Sequence, residues 1–99
     1  MKLSDTDRKL LVKFFQKQPV KKAFLFGSFA RNEAGSESDI DLLVELDFAH
    51  PIGLHFVQMQ LELEKLLKRK VDLVSEDAIS KYVKPFVDKE KIIIYERAA

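Results

Sequence analysis

Residues 23–46 of the chain read AFLFGSFARNEAGSESDIDLLVEL. The segment from Val20 to Phe26 ends in four apolar residues and stops at Gly27, which predicts a buried strand followed by a turn. A short helix over 28–34 and a polar loop over 35–38 follow. Residues 39–46 then alternate acidic and apolar side chains before settling into Leu-Leu-Val, as a strand does. This stretch therefore predicts two strands joined by a helical turn, with acidic residues at the start of the second strand.

The flanking sequence predicts helices and strands in alternation. A first helix begins at Ser4, its N-cap, with Asp7 at the capping-box position, and ends before Pro19. Residues 53–70 fit both a strand period and a helical stripe, but their length and their content of Leu, Gln, Glu and Lys favour a helix. Strands are predicted at 71–74 and 92–95, with two short helices between them because Pro85 interrupts a single long one. The predicted fold class is α/β (α+β), a mixed sheet of about four strands packed with helices.

Composition and charge limit the function classes. A chain of 99 residues with 46% hydrophobic content is expected to form one domain over 1–99. Its 17 basic and 16 acidic residues nearly cancel, so it lacks the overall basic field of a nucleic-acid or membrane binder. The absence of cysteine excludes disulfides and thiolate chemistry. No apolar run approaches the length of a membrane span, and a cytoplasmic location is the default expectation.

Three acidic residues have the pattern of metal ligands. Asp39 and Asp41 stand two apart on a predicted strand, so that both carboxylates leave the same face. The economical reason to place two such acids beside apolar residues is a divalent cation that both coordinate. Asp72 is a third acid between the apolar residues of the next predicted strand. Three carboxylates around Mg²⁺ are typical of phosphoryl or nucleotidyl transfer.

Gly27 and Ser28 have the pattern of a phosphate-binding turn. Glycine lets backbone N–H groups approach a phosphate closely, Ser28 adds a hydroxyl, and the N-terminus of the following helix favours negative charge. Ser28 is also predicted to cap the helix that it begins, a role compatible with phosphate contact.

Together these residues resemble the DNA polymerase β-type nucleotidyltransferase superfamily, and within it the minimal nucleotidyltransferase branch. The matching pattern is Gly27-Ser28, a short helix with Ala and Arg, a polar loop and Ser-Asp-x-Asp-Leu over 38–42, with eleven residues from Ser28 to Asp39 and a later strand acid, Asp72. The resemblance covers Phe24 to Glu45 closely and the element order over nearly the whole chain. It departs from the branch at Asn32, where glycine is common.

The resemblance implies a polymerase β-like nucleotidyltransferase fold and a role for each matched residue. Asp39 and Asp41 would bind two Mg²⁺ ions, Asp72 would help to bind the catalytic ion and activate the acceptor hydroxyl, and Gly27-Ser28 would hold the triphosphate of ATP. Arg31 matches the helix arginine of the pattern and is included among the nucleotide-binding residues. The branch further implies an MntA-like antitoxin that transfers AMP to a HEPN-type toxin encoded beside it.

Some assignments leave alternatives open at the level of sequence. Glu76 or Asp77 could supply the third acid instead of Asp72. Arg31 could pair with Glu33 or Glu37 at the surface instead of contacting a phosphate. His50 and His55 are interpreted as surface or satisfied residues outside the site. The basic cluster at 65–70 favours a solvated helix end, although contact with a partner or RNA is an alternative. Six phenylalanines are predicted core residues, namely Phe14, Phe15, Phe24, Phe26, Phe56 and Phe86.

Two alternatives to protein AMP transfer also remain. The chain could be a non-catalytic antitoxin or adaptor that neutralises its partner by binding, with a vestigial carboxylate site. It could instead add nucleotides to RNA such as tRNA, which its near-neutral charge disfavours.

Overall fold

A computed structural model describes residues 2–98, in which four α-helices alternate with four strands. The elements are α1 (Asp5–Phe15), β1 (Val20–Phe26), α2 (Gly27–Ala30), β2 (Ile40–Leu46), α3 (His55–Leu67), β3 (Val71–Ser75), a single 3-10 turn (Glu76–Ala78), α4 (Lys84–Glu90) and β4 (Ile92–Glu96). The predicted fold class and element order are confirmed. No helix within 2–98 is long and apolar enough to cross a membrane.

The four strands form one mixed sheet in the order β3-β2-β1-β4. β1 pairs antiparallel with both β2 and β4, whereas β2 and β3 are parallel. In this register Asp41 lies opposite Phe26 on one side and opposite Asp72 on the other. The end of β1 and the starts of β2 and β3 therefore lie at the same end of the sheet.

The hydrophobic core lies between one face of the sheet and helices α1 and α3. Alternate residues of β2, namely Ile40, Leu42 and Val44, point into this core, and so do Val71 and Leu73 of β3. Both helices contribute fully buried side chains to it, Leu11 and Phe15 from α1 and Met59 and Leu63 from α3. Because side chains alternate along a strand, Asp41 and Asp72 are left on the opposite face.

Several predicted boundaries shift by a few residues. Ser4 does cap α1, because its hydroxyl accepts a hydrogen bond from the Asp7 amide at 3.0 Å. The prediction that Ser28 caps α2 is wrong, since this helix starts at Gly27, is preceded by Phe26 and has no side-chain cap. It also ends at Ala30 rather than at residue 34. Asp39 lies immediately before β2 and not within it.

Asn32 adopts the left-handed backbone conformation that favours glycine. Its φ is +59°, directly after the C-cap of α2, and asparagine is one of the few other residues that tolerate this region. Asn32 therefore holds a backbone conformation that glycine would also adopt without strain.

The conformation of Asn32 predicts how substitutions there change stability. Asn32→Gly should leave the free energy of unfolding within about 0.5 kcal/mol of wild type, whereas Asn32→Val should lower it by about 1–2 kcal/mol because a β-branched residue is strained at positive φ. Urea unfolding measures both changes. Glu37→Val, in the same exposed loop but without positive φ, is the control, and equal losses at 32 and 37 would contradict the explanation.

Candidate active site

Gly27 follows β1 and begins α2, in a conformation and a position that only glycine fits. Its φ is +73°. A Cβ built on this residue would lie 3.0 Å from Asp41 Cγ and 3.2 Å from Asp41 Cβ, and would overlap Asp41 Oδ2. The backbone of the predicted phosphate-binding turn thus lies directly against the carboxylate of the predicted metal ligand, and the absence of a side chain makes this contact possible.

Asp41 and Asp72 are neighbours across the parallel β2–β3 pair. They share a register position and point to the face of the sheet away from the main core. Asp41 is half-buried, whereas Asp72 and Asp39 are exposed. The three predicted acids therefore lie at the end of the sheet where β2 and β3 begin, with Asp41 in the middle.

The pKa of Asp41 is raised to about 6. Burial is the largest cause, followed by the negative charges of Asp72 and Asp39, while Arg31 opposes the shift. Carboxylates that repel each other in this way are stabilised by a cation placed between them.

Residues 2–98 contain no preassembled group of three or more His, Asp or Glu side chains arranged to hold a metal ion. The oxygen donors nevertheless suit Mg²⁺, which proteins usually bind through one or two carboxylates together with substrate phosphates and water rather than in an all-protein cage. The half-buried carboxylate of Asp41, with Asp72 opposite it on the neighbouring strand, is the observation that fits such a cation.

The structure separates the alternatives for the third acid. Asp72 lies near the start of β3, beside Asp41, whereas Glu76 and Asp77 form the 3-10 turn beyond the other end of β3. Asp77 accepts a hydrogen bond from the Ser75 hydroxyl, and Glu76 lies 3.9 Å from Lys84 Nζ. Of these acids, Asp72 is the one adjacent to Asp41.

Arg31 is held by two carboxylates. Its Nε donates to Glu33 Oε1 at 2.6 Å, the surface pair that the sequence left open, and its Nη1 donates to Glu90 Oε2 at 2.8 Å. Hydrogen bonds to Glu90 and then to Glu33 raise the pKa of Arg31 above its usual value. The Ser28 hydroxyl makes no hydrogen bond to another residue within 2–98. Ser28 thus follows Gly27 within the one-turn helix α2, and Arg31 is the C-cap of that helix.

Two residues near the site were missed by sequence reasoning. Glu90, at the end of α4, accepts hydrogen bonds from both the Gly27 amide and Arg31. Arg69 is not a solvated helix end but a half-buried residue, whose Nη1 donates to the carbonyls of Ser36 at 3.0 Å and Ser38 at 2.9 Å. Arg69 thereby holds the loop that leads into Asp39. Neither contact leaves a local signal, because the partners are 59 and 31 residues apart in sequence.

The two histidines lie away from the three acids, as expected. His55 Nε2 pairs with Gln18 Oε1 at 2.7 Å, and His50 Nε2 is 3.7 Å from Asp47 Oδ2. Gln18 lies before the start of β1, and Asp47 lies after the end of β2. The three acids lie at the other end of these strands.

The raised pKa of Asp41 predicts a pH-dependent cost to folding in the absence of metal. An unfolded aspartate has a pKa of about 3.9, so between about pH 4 and pH 6 the folded chain binds a proton that the unfolded chain does not. Stability therefore decreases as the pH rises through this window. At pH 7.5 in EDTA, Asp41→Asn should raise the free energy of unfolding by about 1–2 kcal/mol, discounted for partial exposure, and at pH 4 by much less. Urea unfolding at both pH values measures this, and a variant less stable than wild type at pH 7.5 would contradict it.

Comparison with known proteins identifies a matching family and relatives that are similar to this chain in sequence. Residues 8–98 match the family model described as "Nucleotidyltransferase domain". A Methanocaldococcus jannaschii protein named as a candidate protein adenylyltransferase is 40% identical over 81 residues, which cover 80% of this chain and 81% of the relative. The protein adenylyltransferase MntA of Thermococcus cleftensis is 33% identical over 75 residues, covering 76% of this chain and 75% of MntA.

Solved structures share the same architecture. A protein described as a candidate minimal nucleotidyltransferase superposes with a TM-score of 0.75 at 32% identity, covering 88% of each chain. A toxin–antitoxin structure with AMP-PNP gives 0.78 at 20% identity, covering 91% of this chain and 73% of that chain. The MNT antitoxin complex with the tri-AMPylated HEPN toxin of Shewanella oneidensis gives 0.71 at 19% identity, covering 93% and 71%. The last two likenesses show the fold alone.

Proposed function

The chain belongs to the nucleotidyltransferase domain family and is a nucleotidyltransferase, and on that premise we propose that it transfers AMP from ATP to a hydroxyl side chain of a HEPN-type toxin, acting as its antitoxin. The observation that carries this proposal is the packing of Gly27 against Asp41, with Asp72 on the next strand. It joins a phosphate-binding turn to a carboxylate pair within a single site. The adenylyltransferase names of the relatives and the AMPylated toxin bound to a neighbour in fold support AMP and a protein acceptor.

We infer that Asp39 and Asp41 hold two Mg²⁺ ions together with oxygens of the triphosphate, and that Asp72 contributes to the catalytic ion. Bound magnesium would neutralise the phosphates and lower the pKa of the attacking hydroxyl. The half-buried Asp41, whose charge is costly in the free protein, would gain most from the cation. This accounts for carboxylates that come together without forming a closed cage.

The remaining residues would bind and orient the reactants. The Gly27 amide and the Ser28 hydroxyl would contact phosphate oxygens, and Arg31 would add a cation on the same side. The acceptor oxygen would attack the α-phosphorus in line with the departing pyrophosphate, and Asp72, exposed beside Asp41, would accept the hydroxyl proton.

A protein acceptor suits the surroundings of the site. Phe86, predicted as a core residue, is 73% exposed, and Tyr82 just before α4 is 76% exposed. Phe86 precedes Glu90, which hydrogen-bonds to Gly27, by one helical turn, so the helix that borders the site carries an exposed apolar side chain on which a partner surface would dock. In contrast, the 17 basic and 16 acidic residues leave a net charge of only +1, which gives little attraction for a polyanionic acceptor.

The test combines the chain with ATP, Mg²⁺ and the product of the neighbouring gene, and weighs that product by mass spectrometry. An AMP adduct that forms with the wild type supports transfer. Neutralisation of the partner without any adduct would support the adaptor hypothesis instead, and labelled tRNA under the same conditions would support nucleotide addition to RNA.

A further inference from the structure

Glu90 already accepts hydrogen bonds from the two groups that the proposed function assigns to binding the triphosphate. Its Oε1 accepts a hydrogen bond from the Gly27 amide at 3.0 Å, and its Oε2 accepts one from Arg31 Nη1 at 2.8 Å. The carboxylate therefore bridges the backbone donor and the side-chain cation of the phosphate-binding turn.

A carboxylate and a phosphate compete for such donors. Both present negatively charged oxygens to N–H groups, and an amide hydrogen can make only one strong, well-aligned bond at a time. A phosphate oxygen that binds the Gly27 amide must therefore displace Glu90 from it. The negative charge of Glu90 beside Gly27 and Arg31 also opposes a further anion at this place.

The fold fixes the backbone of Glu90 but not its side chain. Glu90 is the last residue of α4, and two residues later Ile92 pairs with Leu25 at the end of β1, which keeps the backbone beside Gly27. The side chain is 24% exposed and has three rotatable bonds. Rotation about these bonds moves the carboxylate while the helix backbone stays in place.

We propose that Glu90 is an internal competitor of the triphosphate, a carboxylate that fills the phosphate-binding turn in the free protein and sets its affinity for nucleotide. This inference rests on the proposed function, because it takes the turn of Gly27 and Arg31 as the site of the phosphates.

The test measures binding of ATP with Mg²⁺, of tripolyphosphate and of adenosine by calorimetry. Glu90→Gln removes the charge and keeps the shape, and it should lower the dissociation constant of ATP and of tripolyphosphate about fivefold to tenfold, while binding of adenosine stays unchanged. In turnover assays the KM for ATP should fall, with little change in kcat. Glu90→Ala should act in the same direction, and unfolding curves establish that both variants are folded.

Glu33→Gln is the matched control. It removes one negative charge from the other partner of Arg31 but has no contact with Gly27, so its effect on ATP affinity should stay below about twofold. If Glu33→Gln strengthens binding as much as Glu90→Gln, general repulsion is the cause and the proposal is overturned. Weaker or unchanged binding in Glu90→Gln would overturn it as well, while leaving the proposed function intact. Absence of ATP binding in the wild type would overturn both.

Discussion

Asp41→Asn should lower AMP transfer by about a thousandfold or more, which corresponds to a loss of about 4 kcal/mol of transition-state stabilisation. The reason is positional. Asp41 is the middle carboxylate of the three, with Asp72 on the neighbouring strand and Gly27 in contact with its side chain. An amide at this position keeps the shape but removes the charge that would hold the cation. Mass spectrometry of the acceptor after timed incubation with ATP and Mg²⁺ measures the rate.

Asp77→Asn is the control, because it removes an acid from the far end of β3 that the sequence left open as a third ligand. It should retain activity within about threefold of wild type. Asp39→Asn and Asp72→Asn should both be severely impaired. If Asp41→Asn transfers AMP at the wild-type rate, the carboxylate site has no part in catalysis. If Asp41→Asn instead fails to transfer AMP and still neutralises the partner in full, binding alone accounts for the antitoxin effect.

The same residue links activity to stability. The charge on Asp41 that would bind a cation raises the free energy of the metal-free fold at neutral pH, since the pKa of this group is raised by burial and by its acidic neighbours. Asp41→Asn should thus be more stable than wild type in EDTA and inactive in Mg²⁺. A purely structural aspartate would behave in the opposite way, losing stability when replaced.

Local patterns were sufficient to predict much of the fold. The apolar run before Gly27 and the alternation after Asp39 each report burial along a single strand, and the N-cap at Ser4 is a contact between residues three apart. Asp72 was predicted by the same alternation. Its position opposite Asp41 required the parallel pairing of β2 and β3, which a strand pattern alone does not determine.

The features that sequence reasoning missed depend on tertiary packing. Glu90 reaches Gly27 only because α4 and β4 return the chain to the end of β1, and Arg69 reaches the loop before Asp39 only because α3 ends beside it. Phe86 was assigned to the core because aromatic residues usually are, yet it lies on the exposed side of α4. The placement of α2 also differed, since this helix starts at Gly27, one residue earlier than Ser28.

Gly27→Ala should reduce AMP transfer about a hundredfold or more and lower the free energy of unfolding by about 1–3 kcal/mol. Two effects combine at this residue. The positive φ strains any L side chain by about 1–2 kcal/mol, and the added methyl would overlap Asp41 Oδ2, so that the carboxylate must rotate away. Displacing a metal ligand by even 1 Å is costly for catalysis. The acceptor assay and urea unfolding measure the two losses.

The other two glycines separate strain from steric overlap. Gly35 has open space around its Cβ position and no positive φ, so Gly35→Ala should change neither property. Gly53 has a φ of +40° and open space, so Gly53→Ala should lose about 1 kcal/mol of stability while keeping full activity. In an Asp41→Ala background, Gly27→Ala should lower the free energy of unfolding only as much as Gly53→Ala does, because the overlapping carboxylate is gone. An undiminished cost there would mean that the methyl group does not act through Asp41, and the assignment of Gly27 as the residue that accommodates this carboxylate would be wrong.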